Sequence, residues 1–342
     1  MFASPVIAAP MAGGTTTATF ALATQRAGAL AFAAGGYKSA AALAEHLAPL
    51  RSAGTDFGVN LFLPPREPLD PGTADALERY RSELLPEAAR LGASVPDLPF
   101  SSDDPRVQDY WAEKLDLLLK DPVPLVSFTF GLAPAAIVAD LQRVGSRVLA
   151  SVTSVAEALA AEETGVDALV VQHSNAGGHC ASFLPQPRGA GEPSIVELIA
   201  AVRAAVGLPL VAAGGIGDAA TAKAALTAGA VAVQLGTALL RTDESGARAL
   251  HKAALADPKY TTTALTRAFT GRPARALVND FVRSHANAPD AYPEVHLLTG
   301  PLRAAAADAG DPEALNLWAG TAWQKSQDGP VGTVIAGFLD EL

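Results

Sequence analysis

The chain has 342 residues, 49% of them hydrophobic and 18% charged, which is a globular composition with ample material for a core and excludes a disordered chain. Its net charge is −10, from 35 acids against 25 bases with no basic run, so it lacks the cationic footprint that nucleic acid or an anionic membrane would require. One cysteine, Cys180, excludes an intrachain disulfide and a cysteine-built zinc site, and the expected compartment is a reducing cytoplasm.

The first 25 residues carry no charged side chain. Pro5, Pro10, Gly13, Gly14 and three threonines interrupt them, and no Lys or Arg opens them, so they read as strand, turn and helix. Apolar runs then alternate with alanine-rich segments. The run 5–11 precedes a helical stretch at 15–28, and 29–36 precedes 39–54. Next comes 57–63, followed by an interrupted segment 64–109 rich in proline and charge, a helix at 111–121 and a strand at 124–131. The pattern repeats with 133–145, 147–152, 154–165, 168–172, 194–207, 209–217, 218–229 and 230–240. The strands are continuous apolar runs, as expected when both faces are covered, and glycines such as Gly54, Gly145, Gly165 and Gly229 stand at helix ends. Eight sequential strand–helix units in about 250 residues predict a closed (β/α)8 TIM barrel over 1–245, in preference to an open doubly wound sheet. Residues 246–342 have a different texture and read as an added helical cap at the barrel mouth, with the last helix returning to the barrel.

In such a barrel the functional face lies at the C-terminal ends of the strands. The first strand ends in Pro10, Met11 and Ala12, the third carries Asn60, and the sixth ends in Gln172 and the loop 173–183. The seventh ends in Gly214 and Gly215, and the eighth in Gln234, Leu235, Gly236 and Thr237. Loops after the seventh and eighth strands are the customary phosphate site, and glycines there free backbone N–H groups to face an anion. Gly215-Ile216-Gly217-Asp218-Ala219-Ala220 also has the G-x-G-x-x-A form of a dinucleotide fingerprint. The next strand, however, ends in Gln234-Leu235-Gly236 without the acid that a ribose needs. Asn60 and Gln172 are carboxamides on apolar strands, suited to the alternating donor–acceptor edge of a flavin. His179 follows Ala-Gly-Gly, where little bulk keeps a planar ring away, and is the candidate proton-transfer group. His173 reads as structural, and nothing marks Cys180 as an activated thiolate.

With these residues the chain resembles the nitronate monooxygenases, formerly called 2-nitropropane dioxygenases. The pieces that carry the resemblance are APMAGG, FGVNLF, SFTFG, AGGH, LVAAGGIGD, AVQLGTALL, AFTGRPARALVN and LWAGT, in that order. The resemblance implies a (β/α)8 barrel that binds FMN and oxidises alkyl nitronates with O2, giving carbonyl compounds and nitrite. It implies FMN contacts from Pro10, Met11, Ala12, Asn60, Gln172, Gly177, Gly178, Gly214, Gly215, Gln234, Leu235, Gly236 and Thr237. It makes His179 the catalytic residue, placing the nitronate and, in some members, removing a proton from neutral nitroalkanes. Partners would be a small-molecule nitronate and O2, with no nucleic acid or membrane, in a monomer or homodimer. Two positions depart from the family pattern: Asn175 stands where an acid is usual, and Ala181 where a glycine is usual. The missing acid would remove an anionic neighbour of the histidine and favours activity on nitronates alone. The alternative is an FMN-dependent enoyl-acyl-carrier-protein reductase, or another flavin oxidoreductase, on the same scaffold.

Overall fold

The computed structural model describes residues 2–65, 69–185 and 192–342; residues 66–68 of the interrupted segment lie outside this set. The strands are β1 (Val6–Ala8), β2 (Leu30–Ala34), β3 (Gly58–Phe62), β4 (Leu125–Thr129), β5 (Arg147–Val152), β6 (Ala168–Gln172), a two-residue β7 (Gly178–His179), β8 (Leu210–Ala213), β9 (Ala232–Leu235), β10 (Thr263–Thr266) and β11 (Ala274–Leu277). All but β7, β10 and β11 form a closed parallel barrel in the order β1-β2-β3-β4-β5-β6-β8-β9. Ile7 pairs with Leu30 on one side and with Gln234 on the other, which closes the ring.

Alternation along these strands separates two apolar layers. Ile7, Leu30, Phe32, Leu125, Leu149, Val170 and Val211 form one buried cluster, the barrel filling. Their neighbours Val6, Ala31, Val126, Val148, Leu169 and Leu210 belong to the larger cluster shared with the helices. Gly58 makes room for this filling, since a Cβ there would lie 2.2 Å from the Phe32 ring.

The helices are α1 (Ala18–Arg26), α2 (Ala40–Ser52), α3 (Pro71–Leu91), α4 (Trp111–Lys120), α5 (Ala135–Arg143), α6 (Val155–Glu162), α7 (Ile195–Ala205), α8 (Ala219–Thr227), α9 (Ala249–Ala256), α10 (Asp280–Ser284), α11 (Glu294–Asp308) and α12 (Val331–Leu339). Caps explain where several begin: Thr17, Ser39, Ser154, Ser194 and Asp218 each accept an N–H of the first turn. Helix α12 packs against α1, α8 and β1.

Two elements were not legible in the sequence. The interrupted segment contains α3, a 21-residue helix capped by Asp70 and ended by Gly92 in the left-handed region. Its buried Leu77, Tyr80, Leu84 and Ala88 recur at helical spacing, but Pro86 inside the helix disguises the pattern. These residues share a second core with Phe269, Phe281, Leu298 and Leu302. The region after the barrel is also not purely helical, because β10 and β11 join β7 in a three-stranded antiparallel sheet. ARAL favours helix locally, and its pairing with TALT on one side and the 178–179 backbone on the other overrides that preference.

Candidate active site

The C-terminal ends of the barrel strands and the cap enclose a cavity of about 510 Å³. Pro10, Met11, Ala12, Asn60, Gln172, Gly177, Gly178, His179, Gly214, Gly215, Gln234, Gly236 and Thr237 all line it. Leu235 does not: its side chain is fully buried in the core, and its carbonyl accepts the Ala9 N–H at 2.9 Å. Alternation along β9 turns Leu235 away from the cavity while Gln234 and Gly236 reach it.

The barrel end of the cavity has a polar floor. Asn60 donates through Nδ2 to Ser127 Oγ and Thr129 Oγ1, each at 2.9 Å, and to the Ser127 carbonyl at 3.3 Å. A carbonyl only accepts, so this contact orients the amide and leaves Oδ1 as the acceptor. Gln172 is used differently. Its Nε2 donates to the His179 carbonyl at 3.2 Å and its Oε1 accepts from Ala181 N–H at 2.8 Å, clamping the loop that carries the histidine. Buried Glu157 extends the clamp by accepting the N–H groups of Phe183 and Leu184.

At the loops after β8 and β9, the N–H groups of Gly214, Gly215, Gly236 and Thr237 donate to no backbone or side-chain acceptor among the described residues. Gly214 and Gly215 have φ of +99° and +76°. The Thr237 hydroxyl accepts from Gly320 N–H at 2.9 Å and keeps its own proton to donate. Gly177 serves packing, because a Cβ there would lie 2.6 Å from Gly320 N. Next to this cradle, Lys325 arrives from the cap and pairs with Asp218, whose carboxyl is pulled down to about 2 by the Lys325 ammonium and the Thr221 N–H. Unpartnered N–H groups at a helix start suit an anion.

His179 stands at the other end of the wall. Its ring lies 5.4 Å from Trp318, 5.5 Å from Phe130 and 5.9 Å from Tyr292, centroid to centroid. Phe130 holds a φ of +80°, and the Arg272 guanidinium sits 4.1 Å over its ring. Burial, then the charges of Arg272 and Arg303, push the His179 imidazole down to about 3, so it is neutral at physiological pH. Asn175 lies elsewhere: its Cβ would be 2.9 Å from a Cβ on Gly215, at the cradle. His173 is buried outside the lining, held by the Pro193 carbonyl and the Asn175 N–H.

Sequence reasoning missed the cationic side of the cavity. Arg303 lines it, and its guanidinium donates to His296 Nδ1 at 3.1 Å, to the His296 carbonyl at 2.9 Å and to Thr299 Oγ1. Burial and nearby Arg248 lower Arg303 to about 10, and it has no carboxylate partner among the described residues. His296 stacks on Tyr37 with centroids 4.2 Å apart and planes 6° apart. Tyr37, Arg248, His251 and Trp318 complete this side, and no Asp or Glu lines the cavity among the described residues. His296, Gly300 and Arg303 follow at intervals of four and three on one helix, a spacing that puts them on one face and could have flagged the group.

The nitronate monooxygenase family profile matches residues 1–341. A probable nitronate monooxygenase of Staphylococcus aureus (strain Newman) is 32% identical, covering 99% of this chain and 94% of the relative. Nitroalkane oxidase from Streptomyces ansochromogenes superposes with a TM-score of 0.93 at 44% identity, covering 100% of this chain and 96% of that one. FabK from Thermotoga maritima superposes at 0.73 with 24% identity over 99% of this chain and 93% of its own, a likeness of fold.

Proposed function

The chain belongs to the nitronate monooxygenase family of flavin-dependent oxidoreductases, and from that premise we propose that its cavity binds FMN and oxidises alkyl nitronates with O2 to carbonyl compounds and nitrite. The observation that carries this reading is the charge of the wall: arginine and neutral imidazole face the cavity, and no lining residue among those described is acidic. Such a wall favours an anion, and a nitronate is one. The free N–H groups at Gly214, Gly215, Gly236 and Thr237 fit a single phosphate, which supports FMN. Asn60 Oδ1 suits a ring N–H, and Pro10, Met11, Ala12, Gly178 and Gln234 provide the remaining wall. The roles of Gln172 and Gly177 in this reading are indirect, through the loop that carries the histidine. Bound there, FMN would supply the electron acceptor that O2 then reoxidises.

His179 and Arg303 divide the work on the substrate. Arg303 supplies charge complementarity, which a neutral imidazole cannot, and His179 orients the reacting group. Asn175 packs beside Gly215 at the cradle, and no hydrogen bond links it to His179 among the described residues. We extend the proposal to neutral nitroalkanes, which need a base at His179. The division into barrel 1–245 and cap 246–342 is part of this reading, the cap closing the substrate side.

The test is to release and chromatograph the pigment, then measure O2 uptake and nitrite with preformed alkyl nitronates. FMN and nitronate-dependent uptake are expected. A colourless protein that takes up no FMN sinks the reading, and rapid bleaching by NADH with no nitronate oxidation would favour the enoyl reductase alternative.

A further inference from the structure

The ring of His179 is in contact with one residue to which neither the resemblance nor the cavity chemistry above assigns a role. Thr270 lies in the turn between β10 and β11, and its Oγ1 is 3.0 Å from His179 Nε2. The side chain is buried. Its position is set by topology, because β11 pairs with β7 so that Ala274 faces His179, which brings the preceding turn over the imidazole. The same hydroxyl oxygen lies 3.4 Å from the Arg272 N–H and 3.3 Å from the Arg272 carbonyl.

A hydroxyl has one proton, and a neutral imidazole has one N–H. The Arg272 carbonyl has no other donor among the described residues, so it takes the Thr270 proton. Oγ1 is then an acceptor, for the Arg272 N–H in a side-chain turn and for the ring. The hydrogen bond to Nε2 must run from ring to hydroxyl. The opposite arrangement would leave the carbonyl of half-buried Arg272 without a protein donor among the described residues, which folded chains tend to avoid. The ring's lone pair therefore sits on Nδ1, which has no partner among the described residues, on a ring that lines the cavity.

We propose that Thr270 is a positioning residue that holds His179 as the Nε2–H tautomer, so that Nδ1 is the proton acceptor for the α-carbon of a neutral nitroalkane. The step balances within the site: the C–H bond breaks, the proton goes to Nδ1, and the electron pair remains on the substrate as the nitronate. The resulting imidazolium donates from Nε2 to Thr270 and faces the new anion from Nδ1, and its proton passes to water after product leaves. The inference rests on the proposed function for its substrate, while the tautomer itself is independent of it.

The experiment uses flavin-loaded protein labelled with ¹⁵N-histidine, with His179→Asn identifying the His179 signals. Nε2 of His179 is expected to carry the proton. Thr270→Val should mix the tautomers and lower nitroalkane turnover by about tenfold or more, as loss of an orienting partner does elsewhere. Oxidation of preformed nitronate should fall clearly less than nitroalkane turnover, because no C–H proton is removed. Thr270→Ser should restore both tautomer and turnover. A proton on Nδ1 in the parent protein overturns the proposal, as does a Thr270→Val protein with unchanged tautomer, whether its two activities fall together or not at all. If Thr270→Val does not fold, the parent and Thr270→Ser spectra decide. If no nitro compound is turned over, the spectra still decide the tautomer while the proposed function fails separately.

Discussion

His179 is neutral because burial and two arginines disfavour its protonation, so under the proposed function its part in oxidising an anion would be placement. His179→Asn should leave the flavin bound and lower nitroalkane turnover on the order of 10²–10⁴-fold, the usual worth of a placed base. Nitronate oxidation should fall far less, and steady-state rates on both substrates check this; equal rates to the parent on both would make the histidine scaffolding. Arg303 carries the complementary expectation. Arg303→Gln should raise the KM for nitronates about 10–100-fold, the worth of a charged hydrogen bond, with a smaller change in kcat. An unchanged KM would place the substrate anion elsewhere. In the sequence Arg303 shows only a helical spacing shared with His296 and Gly300, and packing decides that this face meets a cavity.

At the scale of elements, the cradle and the Tyr37 wall depend on unusual backbone. Gly215 has a φ of +76°, and a Cβ there would crowd Asn175. Gly215→Val should fold, by circular dichroism, yet lose at least tenfold in FMN affinity, since a left-handed β-branched residue costs about 1–3 kcal/mol or moves the loop. Full flavin occupancy would move the phosphate to another part of the cavity. Tyr37 is itself left-handed at φ +66°, held by its N–H to Asp109 Oδ1 at 2.6 Å. Asp109 in turn pairs with Lys114 at 2.5 Å, and the Lys114 side chain is fully buried on α4. Lys114→Met would leave a buried carboxylate unpaired, for which about 3–5 kcal/mol of destabilisation is expected by urea unfolding. Adding Asp109→Asn should recover part of it; no recovery would mean that packing, not charge, is at stake.

For the whole molecule the buried imidazoles set a pH dependence. His179 and His251 are pushed down to about 3 and about 4 by burial, and His296 well below its ordinary range by burial and then Arg303. Each is depressed relative to an unfolded value near 6.5, so its contribution is complete above that pH and is lost as pH falls toward the folded value. Each unbalanced proton contributes a slope of about 1.4 kcal/mol per pH unit. Stability should therefore decline between pH 7 and pH 5, before most carboxylates titrate. Urea midpoints at pH 7.5, 6 and 5 test it, and a flat profile would mean that these rings are charged in the fold. No helix among the described residues is long and apolar enough to cross a membrane.

Local sequence determined the barrel. Runs such as 57–63 and 124–131 are mostly apolar, several of the helices carry their own caps, and neither property needs a distant partner to be read. It also placed Asn60 on the third strand and His179, Gly214, Gly215 and Thr237 in or after the strand ends, because strand order alone says which ends share a face. Tertiary structure decided what those groups can do. Gln172 became a loop clamp, Leu235 turned into the core, and Asn175 moved to the cradle, each through contacts with residues remote in the chain. The cap brought Arg303, Trp318 and Thr270 to the imidazole, and with them its charge state and the nitrogen that holds its proton. Electrostatic environment and hydrogen-bond direction depend on three-dimensional neighbours, and residues separated by 91 positions, as His179 and Thr270 are, leave no local signature of their contact.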